Sequence, residues 1–145
     1  MRKQGFTLVE LLLVVTIILI LAGMVIPRMA GRTEQARRAA AKADIETNIA
    51  IALDLYELDS GRYPTSEQGL RALVKKPTSS PVPSNWNGPY LKKRRIPTDP
   101  WRRSYVYVSP GIHNLEDYDL YSYGPDGVEG GGDDITNWEE ANPQD

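Results

Sequence analysis

No cysteine occurs among the 145 residues, and there is one histidine and one phenylalanine. Without cysteine there is no disulfide framework and no thiolate nucleophile. If a domain of this size needs a staple, it must come from packing or from a metal ion. His113 stands alone, with no second histidine or cysteine to build a metal site or a triad around, and reads as a surface-loop residue. No Ser–His–Asp set and no glycine-rich phosphate loop ahead of a helix is present, so no catalytic constellation is legible. An excess of basic residues is missing too. The 17 lysines and arginines face 19 acidic residues, for a net charge of −2, which implies no broad basic surface for nucleic acid.

What is present is concentrated at the start. From Phe6 to Ile26 the chain has 21 residues and a single charge, Glu10. A helix needs about 20 apolar residues to cross a bilayer. Arg2 and Lys3 precede the run, so by the positive-inside rule that end stays cytoplasmic and the rest is exported. A carboxylate inside such a run costs roughly 2.5–3.5 kcal/mol on insertion scales, which marks Glu10 as a candidate functional residue. A secretory signal has a shorter apolar core, with small residues after it. Here the small residue Gly5 comes before the run. Cleavage after Ala22 or Gly23 is poorly signalled, and an uncleaved anchor is the plainer alternative.

Pro27 follows the run, and a proline inside a helix removes one hydrogen bond and bends the axis. Beyond it, Ala36, Ala39/Ala40, Ala43, Ile45, Ile49, Ala52/Leu53 and Tyr56 recur at helical steps, with charges between them. Phe6–Leu58 is therefore predicted as one helical rod of 53 residues, about 80 Å long at 1.5 Å per residue. The first half is apolar all round. The second half is amphipathic and needs a cover. Asp59-Ser60-Gly61 ends the rod with a glycine suited to a C-cap. Ser66 is expected to cap a short helix over Glu67–Val74.

Lys75–Pro89 holds four prolines and reads as a loop, a candidate partner contact or inert packing. Strands are expected at Ser104–Val108 and Tyr118–Tyr123, with a loop over Ser109–Asp117 and a further short strand near Tyr90–Lys92. Laid on the rod, these form a small α+β domain. The run Lys92-Lys93-Arg94-Arg95 reads as a solvated face, with lipid headgroups or an acidic partner as the alternative.

Gly124–Ile135 carries four acids and five glycines. Hard oxygens in a flexible loop suit Ca²⁺. The EF-hand spacing is absent, so spacing leaves a structural cation and a solvated glycine-rich turn both open. Asn137-Trp138 follows, where the indole can pin the tail to the sheet.

Gly5-Phe6-Thr7-Leu8-Val9-Glu10 and its apolar run resemble the class III signal of type IV pilins and type II secretion pseudopilins. Further matches are Leu58-Asp59-Ser60-Gly61-Arg62-Tyr63-Pro64-Thr65, Gln68-Gly69-Leu70, Asp99-Pro100-Trp101, Tyr107-Val108-Ser109-Pro110-Gly111 and Tyr118-Asp119-Leu120. They are similar to the major pseudopilin (protein G) family of type II secretion over nearly the whole chain.

The resemblance implies an α+β, type IV pilin-like fold: a long N-terminal helix, transmembrane in its first half, packed on a small C-terminal antiparallel sheet. It implies three segments: a leader (1–5), a transmembrane and filament-core helix (6–26), and a periplasmic domain (27–145). A prepilin peptidase would cut between Gly5 and Phe6 and methylate the Phe6 amine. Loss of the leader takes away Arg2 and Lys3, so 17 basic residues become 15 against 19 acidic ones and the net charge goes from −2 to −4.

The chain would be no enzyme. It would leave the inner-membrane lipid to polymerise with copies of itself into a periplasmic pseudopilus. Minor pseudopilins and an inner-membrane platform would assist, and the filament would export folded proteins through a secretin. A subunit of another pilus-like filament, for adhesion or DNA uptake, is the alternative. Glu10 would neutralise the Phe6 ammonium of a neighbour, and Pro27 matches the family's proline after the span. Structural Ca²⁺ would be held by the side chains of Asp126, Asp133 and Asp134 and by backbone oxygens of Tyr123 and Val128. One departure stands out. Asp99-Pro100-Trp101 continues as Arg102-Arg103, where the family usually has Gly and Asn, placing two extra positive charges toward solvent or a neighbour.

Overall fold

The computed structural model describes residues 6–139, with 23–30 described as backbone only. The chain forms two compact units, divided between Ala36 and Arg37. Helix α1 runs from Leu8 to Ala43, unbroken across Pro27. A π-helical turn, Asp44–Ile49, follows, and then α2, Ala50–Ser60. In an α-helix a step of four residues drifts by about 40° around the axis. Ala41, Ile45 and Ile49 lie four apart and are all fully buried. The wider π turn takes up that drift and keeps the stripe on one side. Gly61 ends α2 in the left-handed conformation (φ 72°), its N–H reaching the Glu57 carbonyl at 2.7 Å.

Three short strands cover the second half of this helical stretch: β1 (Val106–Val108), β2 (Asp119–Ser122) and β3 (Ile135–Thr136). They form an antiparallel sheet in the order β1-β2-β3, with Tyr107 opposite Leu120 and Ser122 opposite Ile135. The third strand is an addition to the two expected. No strand forms at Tyr90–Lys92; the Tyr90 N–H instead bonds the Leu73 carbonyl at 2.8 Å. The core joins Ile45, Ile49, Leu53 and Tyr56 of the helical stretch to Leu70, Leu73, Tyr105, Tyr118 and Leu120. Each such side chain contributes roughly 1.5–3 kcal/mol of burial.

The tyrosines fix this packing by their hydroxyls as well as their rings. Tyr105 donates to Asp44 at 2.9 Å, Tyr90 to Asp59 at 2.9 Å and Tyr63 to Asp54 at 3.3 Å. Three aspartates spread along the helical stretch thus each receive a phenol. Burial, with the Asp59 carboxylate adding to it, pushes the Tyr90 hydroxyl up to about 12.

The short helix expected at Glu67–Val74 is a 3-10 turn, Gly69–Leu73. The turn that leads into it is closed by Thr65, not Ser66. Thr65 Oγ1 accepts the Gln68 N–H at 3.2 Å, and Gln68 Oε1 accepts the Thr65 N–H at 3.2 Å, a reciprocal capping box. Ser66 is used elsewhere, bonding both backbone groups of Ser109. The Gln68 side chain, nearly buried, also donates to the Ser79 and Pro81 carbonyls and so pins the proline-rich loop.

Candidate functional site

Two regions carry the residues singled out by sequence. The first is the start of α1. Gly5 lies outside the described residues. Phe6 stands just before the helix and is 82% exposed. Thr7 caps it: Thr7 Oγ1 accepts the Glu10 N–H at 3.3 Å, and the Thr7 carbonyl accepts the Leu11 N–H at 3.2 Å. Glu10 is therefore a first-turn acid at the position of a capping box, favourable beside the positive end of the helix dipole. Around it Leu8, Val9, Leu11, Leu12 and Leu13 are all exposed. Among the described residues no helix is long and apolar enough to cross a membrane. The described side chains of the apolar run stop at Ala22, while the sequence run continues to Ile26. Pro27 lies inside α1, and its side chain is outside the description.

The second region is the loop from Gly124 to β3. Asp126 and Asp133 are brought together here. A Cβ added at Gly131 would lie 3.0 Å from Asp126 Oδ2 and 3.4 Å from Asp133 Oδ1, and the backbone there has φ 82°, which favours glycine. Each aspartate also orders backbone. Asp126 Oδ1 accepts the Val128 N–H at 2.9 Å, Asp133 Oδ2 the Asp126 N–H at 3.2 Å, and Asp134 Oδ2 the Gly130 N–H at 2.9 Å. The Tyr123 carbonyl accepts the Gly127 N–H at 3.3 Å. Val128 is exposed at the loop's outer turn. Among the described residues, no group of three acidic or histidine side chains forms a ready metal cluster. The donor set is nonetheless all hard oxygen, and buried Asp133 Oδ1 has no hydrogen-bond partner. An oxygen-preferring cation fits that chemistry.

Sequence reasoning missed a second acidic centre. Asp119 is 2% exposed, at the start of β2. It accepts the N–H groups of Ile112 at 2.7 Å, His113 at 2.9 Å and Asn114 at 3.0 Å, and lies 3.0 Å from His113 Nδ1. Burial alone would raise its pKa, but these backbone donors together outweigh burial and hold the carboxyl below the usual range. His113 stacks flat on Trp138 at 4.0 Å, and Trp138 meets Tyr121 edge-on at 5.3 Å. The indole pins the tail as expected, and His113 is a half-exposed loop residue. The available signal was an acid in an otherwise aromatic strand, beside a loop rich in free amides.

Comparison with known proteins places these features. A model of the prokaryotic N-terminal methylation motif matches residues 1–26. A model of type II secretion system protein G matches residues 28–138. The chain belongs to the protein G family of the type II secretion system. It is 51% identical to the type II secretion system core protein G of Pseudomonas aeruginosa over 142 residues, covering 95% of this chain and 96% of that one. The core protein G of Escherichia coli K12 is 47% identical over 94% of this chain and 92% of its own. A solved structure, the major pseudopilin from the type 2 secretion system of enterohaemorrhagic E. coli, is similar with a TM-score of 0.66 and 44% identity. It covers 79% of this chain and 93% of that one. Members of the family are structural pseudopilins and not enzymes. The fold is the α+β, pilin-like arrangement of a long helix and a small three-stranded antiparallel sheet.

Proposed function

We propose that the chain is the major subunit of a type II secretion pseudopilus, a periplasmic filament that drives folded proteins through the outer-membrane secretin. In this reading residues 1–5 are a leader, 6–26 the membrane and filament-core helix, and 27–145 the periplasmic domain. Prepilin peptidase cuts between Gly5 and Phe6 and methylates the Phe6 amine. Residues 6–26 then hold the chain in the inner membrane until the assembly platform and minor pseudopilins draw it into the filament.

The observation that carries the reading is the run of exposed apolar side chains from Phe6 to Leu21 on a helix with Glu10 in its first turn. Among the described residues nothing covers this surface. Lipid covers it first, and other copies cover it afterwards. On α2, Ile51, Leu55 and Leu58 lie at i, i+4 and i+7 and are also exposed, a second stripe for a neighbour. Once the leader is gone, Glu10 can neutralise the Phe6 ammonium of an adjacent subunit. Losing one partner of a charge pair in a dry core costs about 3–5 kcal/mol, so Glu10 sets subunit register. Pro27, just beyond the span, cannot donate its backbone bond and gives the helix a weak point for repacking.

Calcium is the group the family resemblance implies for the second region. The Asp126, Asp133 and Asp134 side chains and the Tyr123 and Val128 carbonyls would hold it. The ion supplies only charge neutralisation and ordering of the loop. The test of assembly is Glu10→Ala in the full chain: the leader is removed as usual, filaments fail to form and secretion falls by more than tenfold. Filaments and secretion at parental levels would contradict the reading.

A further inference from the structure

Arg103 stands where the family usually has Asn, and its side chain turns inward. Only Arg102 meets the expectation of facing outward: it is exposed, with a positive φ of 69°. Arg103 is held at its backbone by Asp99. The Arg103 N–H bonds Asp99 Oδ1 at 2.7 Å, and the Asp99 N–H bonds the Arg103 carbonyl at 2.8 Å. Asp99 is 3% exposed, and its Oδ2 accepts Ser122 Oγ at 2.7 Å, so the anchor belongs to the sheet. From there Arg103 Nε lies 3.7 Å from Asp99 Oδ2, and the guanidinium carbon sits 6.0 Å above the Trp101 ring. The far end of the guanidinium donates to the Gly124 carbonyl. It also lies against Gly127 so closely that a Cβ at that position would collide with it. One fixed positive charge therefore closes the neck of the Gly124–Ile135 loop. A second guanidinium, Arg38, approaches Asp133 Oδ2 at 3.9 Å.

We propose that Arg103 is a built-in cation at the neck of this loop, whose guanidinium, anchored on Asp99 and turned to Gly124 and Gly127, disfavours a dication in the loop and so lowers its affinity for the metal. The inference rests on the calcium reading given above. The loop contains four acids, Asp126, Glu129, Asp133 and Asp134. The charge of Arg103 is met from behind by Asp99, and Arg38 is the guanidinium that reaches a loop acid, so the loop keeps net negative charge for a divalent ion to neutralise. A fixed cation at the neck repels a dication bound in the same loop. Gly124, the carbonyl that Arg103 holds, is outside the expected ligand set. Arg103 therefore offers the ion no preformed ligand in exchange for the repulsion.

The test uses the full chain in detergent micelles, with calcium affinity measured by titration calorimetry and thermal unfolding measured in calcium and in chelator. Arg103→Asn is expected to bind calcium about three- to tenfold more tightly and to lose more melting temperature on chelation than the parent does. Arg103→Lys keeps the charge and stays within about twofold of the parent. Should Arg103→Asn fail to fold, Arg103→Gln, which retains a donor for the Gly124 carbonyl without the charge, carries the same expectation. Equal or weaker calcium binding by the uncharged variant, with the parent binding normally, overturns the role of Arg103 and leaves the calcium reading intact. No calcium binding by parent or variant at millimolar calcium overturns the calcium reading, and this inference with it.

Discussion

The two units of this chain differ in how complete they are alone. The unit from Arg37 onward has a closed core, in which Ile45, Ile49, Leu53, Leu73 and Leu120 are all fully buried. Much of its polar interior is satisfied locally: phenols meet helix aspartates, and Asp119 collects three backbone amides. The helical unit ending at Ala36 shows the reverse. Its leucines, valines and isoleucines from Leu8 to Leu21 are 46–81% exposed. One part of the sequence encodes a closed core, and the other a surface that nothing among the described residues covers. That division suits a subunit that is stable before assembly and drawn into a filament by what it leaves uncovered.

The contrast can be broken at each side. The largest effect is expected from Glu10→Ala, which removes assembly while leaving the melting temperature of the folded unit unchanged; unfolding curves and electron microscopy of the same preparation check both halves. Next is Asp119→Ala, which strands three amides and destabilises the folded unit by about 3 kcal/mol, read by denaturant unfolding. The pH dependence sharpens it. The Asp119 carboxyl is held low in the folded state, so its contribution is complete above the unfolded value near 3.9 and is lost as pH falls through the folded value. Asp119→Asn flattens that acid limb.

A smaller effect is expected in the second acidic loop. Asp133 Oδ1 is left over there, whereas both Asp119 oxygens are engaged. Chelator lowers the melting temperature, the stability lost growing with the calcium concentration removed to about 2.7 kcal/mol at a hundredfold excess over Kd, and Asp126→Ala abolishes the shift. Unchanged melting in chelator would contradict this. The smallest is Arg102→Gly, which relieves a left-handed arginine and stabilises by about 1 kcal/mol.

The sequence was most legible where periodicity is long. Steps of three and four announced the helical stretch, and Gly61 its end. The π turn was hidden because it answers to tertiary packing: Ile45 and Ile49 keep facing the sheet only if the helix widens there. Strand β3 is two residues long, too short for any alternation to register. Asp119 was hidden for a different reason: a strand acid reads as solvent-facing until the loop that wraps it is known. At Arg103 the departure from the family pattern was plain, but its direction was not. Only the turn built on Asp99 aims that side chain inward.

The central claim is that the exposed helix belongs to a processed subunit on its way from lipid to filament. Mass spectrometry of the N-terminal peptide from the membrane fraction tests it most directly. The account predicts a chain that begins at N-methylated Phe6. A mature protein that keeps Met1 to Gly5 would contradict it.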